Sequence, residues 1–585
     1  MFTRWGLFYA YIYDIADFSV SIYDAETNLI GQYAGCPIHL GAMSFSTKAC
    51  VAKFPKLDEG DVVIINDPYA GGTHTPDVTC VAPMYYKGEI MGYACARAHW
   101  VDMGGGGVGS QAWGTHIATE GFRIFPMKLV EKGKINKEFV ELVKNQVRAP
   151  QGVEGDFMAQ IGACGVAQME MVKLIERFDV ETVKIAMKEI REYTKYVFRS
   201  IIEKLPDGEY EGVDFAETDG VREKSVAIKT KITIKGDQLT VDFKGTDPLV
   251  EGAINSPLAN THGAVLYSSI GMLAPGLPIN EGIYDCIDIK VPEGCWLNAR
   301  WPHPTIGSTT HTATKIATSV WMALSKIDPK KAIGSTYGEC NWYIASVKDP
   351  ETGLPMLVSD LPSGGWGATS EHDGMNAAND PHIVNALLMS AEVAEMAHPV
   401  YWQHYGMRTD SGGPGKYRGG VGMIFKFKPL GDMELSMETS RTKIGAPGVE
   451  GGGRGSIQYV LKQYPDGKLE TVMGNDLEKE GKWHMSLQAN MRFEEGTSFV
   501  LLTSGGGGYG DPLERDPEKV LQDVIDQYVS IEGARKDYGV VIDPKTMAID
   551  YEETMTLRKQ LSMSEEFKQY IQGVRKDYLL LQSIL

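Results

Sequence analysis

VVIINDPYAGGTHTPDVTCVAPMY, residues 62–85, decides how the chain folds. Its start, Val62–Ile65, is an apolar, β-branched run, the pattern of a buried strand. Pro68, Gly71, Gly72 and Pro76 then force the chain to turn. Asp67, His74 and Asp77 stand inside that turn, and a second strand-like run follows from Val78 to Tyr85. A strand that empties into a glycine-rich loop bearing an imidazole and two carboxylates can hold a metal ion or a proton-transfer group on a rigid scaffold. The plain alternative is a solvated loop that happens to contain a histidine.

Working outward, Phe18–Tyr23 and Glu89–Ala96 read as further strands, the second closed by Arg97-Ala98-His99-Trp100. From about Val166 to Lys204 apolar residues recur at helical spacing with a break near Asp179, which predicts two helices. Val226–Phe243 alternates about a central KGDQ, a hairpin pattern, and residues 305–326 read as a helix rich in small residues. From Pro399 the character changes to strands and glycine-rich loops, and charged helical patterns return at 514–538 and 552–585. The expected class is α/β (mixed α+β), a multi-layer subunit with mixed sheets, a β-rich C-terminal unit and a helical tail. Four regions follow: an α/β region at 1–205 bearing the candidate metal site and ending in helices, a central α/β region at 206–398, a β-rich, glycine-rich unit at 399–512 and a helical tail at 513–585.

A chain of 585 residues is too long for one simple core and implies about three structural units. The net charge of −19 argues against a nucleic acid or an anionic membrane as partner. Eight cysteines without a CxxC pair make a disulfide scaffold or a thiolate zinc site a poor fit and suit a reducing cytoplasm. Cys36 reads as a small buried hydrophobe. No apolar run is long enough to span a membrane. The opening MFTRWGLFYAYIYDIADF meets Asp14 and Asp17 at once and does not read as a signal peptide.

His74 and Asp77 lie in the loop after one strand, and His99 ends another close by in sequence. Such strands usually neighbour each other, so the three residues are expected to converge at one sheet edge. Asp14 and Asp17 precede the strand FSVSIY and can reach the same edge. Two imidazoles with one or two carboxylates leave open positions on a divalent ion and suit Zn, Mn or Fe(II), which would polarise a carbonyl or deprotonate a water. Arg97 can orient a phosphate through bidentate hydrogen bonds, or pair with Asp102. His39, in the apolar setting CPIHLGAM, reads as a packing or structural residue, and His116, His303, His311, His372 and His398 read as structural near Gly or Pro turns. The glycine-rich stretches at 104–110, 363–367, 410–422, 445–455 and 504–512 read as tight turns. None is a P-loop, since GGPGKY has Tyr417 where a hydroxyl should hold Mg²⁺, and no dinucleotide fingerprint or GxSxG elbow is present.

NDPYAGGTHTPDV, ARAHWVDMGG, DFSVSIYDAE with CPIHLGAM, RAPQGVEGDFMAQIGA, DSGGPGKYRGGVG and SGGGGYGDPLERDPEKVLQDV together resemble the hydantoinase B/oxoprolinase family, which includes the large subunits of acetone and acetophenone carboxylases. The resemblance runs from about Asp14 to Asp543. It implies a partner of the hydantoinase A type, an actin-like ATPase that uses ATP to phosphorylate the carbonyl oxygen of a lactam, hydantoin or ketone. It implies that the activated species is then hydrolysed, or carboxylated as an enolate, at a metal site in this chain. It places the metal ligands on His74, Asp77 and His99, with Asp17 first and Asp14 second as a further carboxylate. Family members carry a helix-forming segment ahead of DFS, where this chain has MFTRWGLFYAYIY. His99-Trp100 resembles the ketone-carboxylase branch, and GGTH-x-PDV the hydantoinase branch. The main expectation is thus the metal-bearing subunit of an ATP-dependent cyclic amide hydrolase. The alternatives are a biotin-independent ketone carboxylase subunit and a non-catalytic scaffold for an ATPase partner.

Overall fold

A computed structural model describes residues 15–111 and 113–573. Contacts divide the chain into two compact units, Met1–Ala323 with Pro381–Met389, and Leu324–Asp380 with Ser390–Leu585. The class is mixed α/β. No helix among the described residues is long and apolar enough to cross a membrane.

The first unit begins with β1 (Phe18–Tyr23), β2 (Leu29–Ala34), α1 (Ala42–Lys53), β3 (Val62–Ile65), β4 (Asp77–Tyr86), β5 (Glu89–His99), β6 (Met127–Glu131) and β7 (Lys134–Ile135). These strands form one sheet in the order β2-β1-β5-β4-β3-β6-β7, every pair antiparallel. The β4–β5 hairpin turns on Lys87 and Gly88, both at positive φ, which suits the twist of a tight hairpin. α2 (Lys137–Lys144), α3 (Pro150–Phe178) and α4 (Val180–Ile202) follow, with Asp179 capping α4 at the expected break. α3 begins sixteen residues before the predicted start, so RAPQGVEGDFMAQIGA forms its first turns.

Side chains alternate across a strand, so the sheet has two buried faces. Ile64, Cys80, Ala82, Ala94 and Ala96 pack with Val153, Phe157 and Cys164 of α3. Val63, Ile65, Val81, Tyr93 and Cys95 pack with Met43 and Cys50 of α1. The remainder of this unit includes a sheet of β8 (Gly208–Ala216), β9 (Val226–Lys235), β10 (Gln238–Asp242) and, after α5 (Leu258–Leu273) and α6 (Glu281–Tyr284), β11 (Ile287–Lys290), which pairs in parallel with β10. The KGDQ hairpin is thus β9–β10. The segment predicted as a helix over 305–326 is a wide turn at Ser308–Thr312 leading into α7 (Ala313–Ser325).

In the second unit β12 (Tyr343–Lys348) and β13 (Pro355–Asp360) precede α8 (Ala391–Ala397), β14 (Val400–Met407), β15 (Met423–Pro429) and β16 (Met433–Glu438). β12 pairs with β16, so the border between units falls inside the 206–398 stretch that the sequence groups as one region. Local pattern cannot show this, because the partner strand lies far along the chain. The tail contains helices at Pro517–Ile525, Ile531–Tyr538, Tyr551–Ser562 and Glu565–Gln572.

The glycine-rich stretches of this unit are not the tight turns the sequence suggests. Residues 504–508 run extended through the middle of three others. Gly506 N donates to Gly420 O at 2.9 Å, Gly365 N to Ser504 O at 3.0 Å, Gly413 N to Gly506 O at 2.8 Å and Gly508 N to Gly453 O at 2.9 Å. A Cβ on Gly505, Gly506 or Gly507 would stand 2.0, 1.9 or 2.0 Å from the carbonyl oxygens of Ser411, Trp366 and Pro447, three different neighbours. Only glycine lets four backbones approach so closely. Gly506→Ala is therefore expected to destabilise this unit by about 3 kcal/mol. Gly165→Ala, on α3 with nothing within 4 Å of the added carbon, should be neutral or slightly stabilising. Thermal unfolding of the two variants beside the wild type checks the contrast.

Candidate metal centre

The loop after β3 is tied down by one side chain. Asn66 Nδ2 donates to Thr75 O at 2.6 Å and to Phe122 O at 3.1 Å, and its Oδ1 accepts from Ile124 N at 2.6 Å. Asp67 caps the short turn Pro68–Ala70, and Gly71 follows at φ 112°, a conformation L residues avoid. The chain then doubles back, so that β4 starts at Asp77 directly opposite His99 on β5. β1 lies on the other edge of β5, where His99 N donates to Asp17 O at 3.1 Å. His39 ends a turn of 3-10 helix after β2, its Nδ1 2.8 Å from Ser19 Oγ.

Five side chains thereby meet on the α1 face of the sheet. His74 Nε2 is 3.4 Å from Asp77 Oδ1, His39 Nε2 is 3.4 Å from Asp77 Oδ2, and the rings of His74 and His99 stand edge to face with centroids 5.1 Å apart. Asp17 adds its carboxylate, which accepts from the Cys36 thiol at 2.9 Å. His39, His74, Asp77 and His99 are all buried. Thr73 Oγ1 donates to Asp77 Oδ2, and His74 Nδ1 contacts Ile306 O at 2.9 Å. A carbonyl oxygen accepts, so Nδ1 carries a proton, and Nε2 faces Asp77.

Burial opposes a charge on Asp77, but His74 and His39 outweigh it and hold the carboxyl well below the usual carboxylate range. Burial also disfavours the His74 cation, while Asp77 raises its pKa above the ordinary value. Burial lowers His99 to about 4, with the charge of Asp17 opposing, so His99 is a neutral imidazole near pH 7.

His74, Asp77, His99 and Asp17 thus come together as the sequence predicts, and Asp14 lies outside the described residues. Arg97 sits on the same face two residues before His99. Its Nε donates to Thr79 Oγ1 at 2.8 Å and its Nη2 to Ser46 Oγ at 2.7 Å. Asp102, the alternative partner for Arg97, bonds to Arg148 instead. Trp100 packs on the opposite face, its Nε1 donating to Gln160 Oε1 at 2.8 Å. Cys36 is buried as expected and also donates to Asp17, and His39, read from the sequence as a structural residue, adds a third imidazole that the sequence reading did not place here. The available signal was Ser19 and Ser21, two hydroxyls at inward positions of an otherwise apolar strand.

Three imidazoles and two carboxylates in a buried cluster form a set of N and O donors suited to a divalent cation. The 3.4 Å separations are longer than good hydrogen bonds.

The chain belongs to the hydantoinase B/oxoprolinase family, whose profile matches residues 9–512. It is 31% identical to the beta chain of the caprolactamase of Pseudomonas jessenii, over 90% of both chains. The crystal structure of the ATP-dependent caprolactamase from that organism superposes with a TM-score of 0.86, covering 93% of each chain at 28% identity. The B-type chain of a putative D-/L-hydantoinase from a Pseudomonas species is 31% identical over 86% of this chain and 84% of its own. An acetone carboxylase structure shares the fold, with a TM-score of 0.84 at 20% identity over 94% of this chain and 79% of its own.

Because Asn66 satisfies three backbone groups, two of them buried, Asn66→Ala should cost about 2–4 kcal/mol and loosen the loop that carries His74. Denaturant unfolding, with limited proteolysis between residues 66 and 77, measures both effects.

Proposed function

We propose that this chain is the metal-bearing B-type subunit of an ATP-dependent cyclic amide hydrolase that opens a lactam, hydantoin or oxoproline ring. The observation that carries the reading is the buried convergence of His74, Asp77 and His99, with Asp17 and His39 beside them. In this reading His74, Asp77, His99 and Asp17 hold a divalent Mn, Zn or Fe ion, and His39 either joins them or holds Asp77 in place. When bound, such an ion supplies Lewis acidity, polarising a carbonyl or acidifying a water.

The chain's own residues prepare the donor set. His74, with its Nδ1 proton directed at Ile306 O, presents Nε2. His99 is uncharged near neutral pH and has a lone pair to give. Thr73 and His39 orient the Asp77 carboxylate. An amide is a poor electrophile, and phosphorylating its oxygen turns that oxygen into a leaving group. ATP use belongs in this reading to a partner of the hydantoinase A type. The relatives are themselves named as one chain of a larger enzyme, beta in one case and B in the other, which supports such a partner. The assembly is a cytoplasmic hetero-oligomer in this reading, with neither nucleic acid nor membrane as a partner. The ketone carboxylase alternative drew on Trp100, and that side chain lies on the face of the sheet away from the site.

Elemental analysis of the chain purified with its partner, wild type beside a His74→Ala/His99→Ala double variant, tests the proposal. The wild type should carry close to one equivalent of Mn, Zn or Fe, and the variant below about a tenth. ATP-dependent opening of a lactam, hydantoin or oxoproline should vanish with the metal. Turnover of ketones with bicarbonate instead would establish the carboxylase, and a folded wild type without metal would leave a scaffold.

A further inference from the structure

Glu120 is among the most deeply buried carboxyl groups of the first unit and lies outside the donor set. It ends a short turn at Ile117–Glu120, far in sequence from what it touches. Its Oε1 accepts from Thr305 N at 2.5 Å and from Ile306 N at 2.8 Å, and its Oε2 faces Thr305 Oγ1 at 3.3 Å. Ile306 is the residue whose carbonyl oxygen meets His74 Nδ1. The backbone oxygen of Glu120 accepts from Thr75 Oγ1 at 2.9 Å, next in the chain to His74. Ser308 Oγ donates to Thr73 O at 3.3 Å on the other side of His74. The segment around Ile306 leads into the turn at Ser308–Thr312 and is also held by Gly307 N, which donates to Ala253 O at 2.9 Å, but Glu120 is the side chain that grips the amides of Thr305 and Ile306 themselves.

We propose that Glu120 is a positioning residue. By gripping the amide groups of Thr305 and Ile306, it holds the Ile306 carbonyl against His74 Nδ1, which keeps the proton on that nitrogen and leaves Nε2 as the donor. Ligating histidines depend on such a partner for tautomer and ring orientation. Shortening or removing the Glu120 side chain frees the 305–306 backbone, and the His74 ring loses its reference. A glutamine keeps an acceptor oxygen at the same reach, so the charge of Glu120 is not what the arrangement needs. This inference rests on the metal reading above.

The test is titration of Co²⁺ into the chelator-treated full chain, comparing wild type with Glu120→Gln, Glu120→Asp and Glu120→Ala. Competition with a coloured chelator gives the dissociation constant, and the visible absorption of bound Co²⁺ reports ligand geometry. Glu120→Ala and Glu120→Asp should bind about 10- to 100-fold more weakly, with an altered spectrum. Glu120→Gln should stay within about threefold of wild type, with the wild-type spectrum. If Glu120→Ala does not fold by thermal unfolding, the Asp and Gln variants decide. Wild-type affinity and spectrum in Glu120→Asp overturns the inference and leaves the metal reading standing. So does a folded Glu120→Gln that binds as poorly as Glu120→Asp. A wild type that binds no Co²⁺ overturns the metal reading and this inference with it.

Discussion

Everything at the site depends on the register of β4 against β5. Asp77 stands opposite His99 and Thr79 opposite Arg97, and β1 extends the same rows on the far side of β5. Strand side chains repeat every two residues, so slipping that register by one would carry Asp77 to the α3 face, among Cys80, Ala82 and Ala96. Because both faces are buried, such a slip would bury carboxylates in an apolar layer and expel the apolar side chains that belong there. The packing of α1 and α3 on opposite faces therefore selects the pairing that assembles the donor set.

The second constraint is the cost of placing so many polar groups out of water. Three imidazoles, two carboxylates and a guanidinium share the α1 face of one sheet, and each needs a partner. The chain supplies these from its strands, from α1 and from the loops: Ser19 for His39, Thr73 for Asp77, Ile306 for His74, Thr79 and Ser46 for Arg97. Asn66 and Glu120 then secure the segments themselves. The side chains of this cluster are thus held in place by the protein's own bonds.

The second unit solves a different problem by a different route. Its glycine-rich stretches carry few side chains to build a core, yet most of their glycines are buried. Backbone amides and carbonyls of one stretch satisfy those of the next, and close approach of the chains replaces side-chain packing. Isolated, each stretch looks like a turn, because glycine alone signals conformational freedom. Four such stretches aligned by the fold use the other property of glycine, its lack of bulk.

Local pattern was enough for β1, β3, β4, β5, the break at Asp179 and the β9–β10 hairpin, because alternation and helical spacing are written in neighbouring residues. It was also enough to bring His74, Asp77 and His99 to one edge, since consecutive strands pair. It could not find His39, whose turn reaches the site only because β1 inserts between β2 and β5. Nor could it tell that Arg97 is sealed beneath the donor set, that Trp100 faces away from it, or that β12 belongs with β16. The sequence by itself determined many of the strands and helices and which side chains are chemically able to bind an ion. Only the tertiary structure decided which of those side chains share a face, because that depends on the order and register of strands distant in the chain.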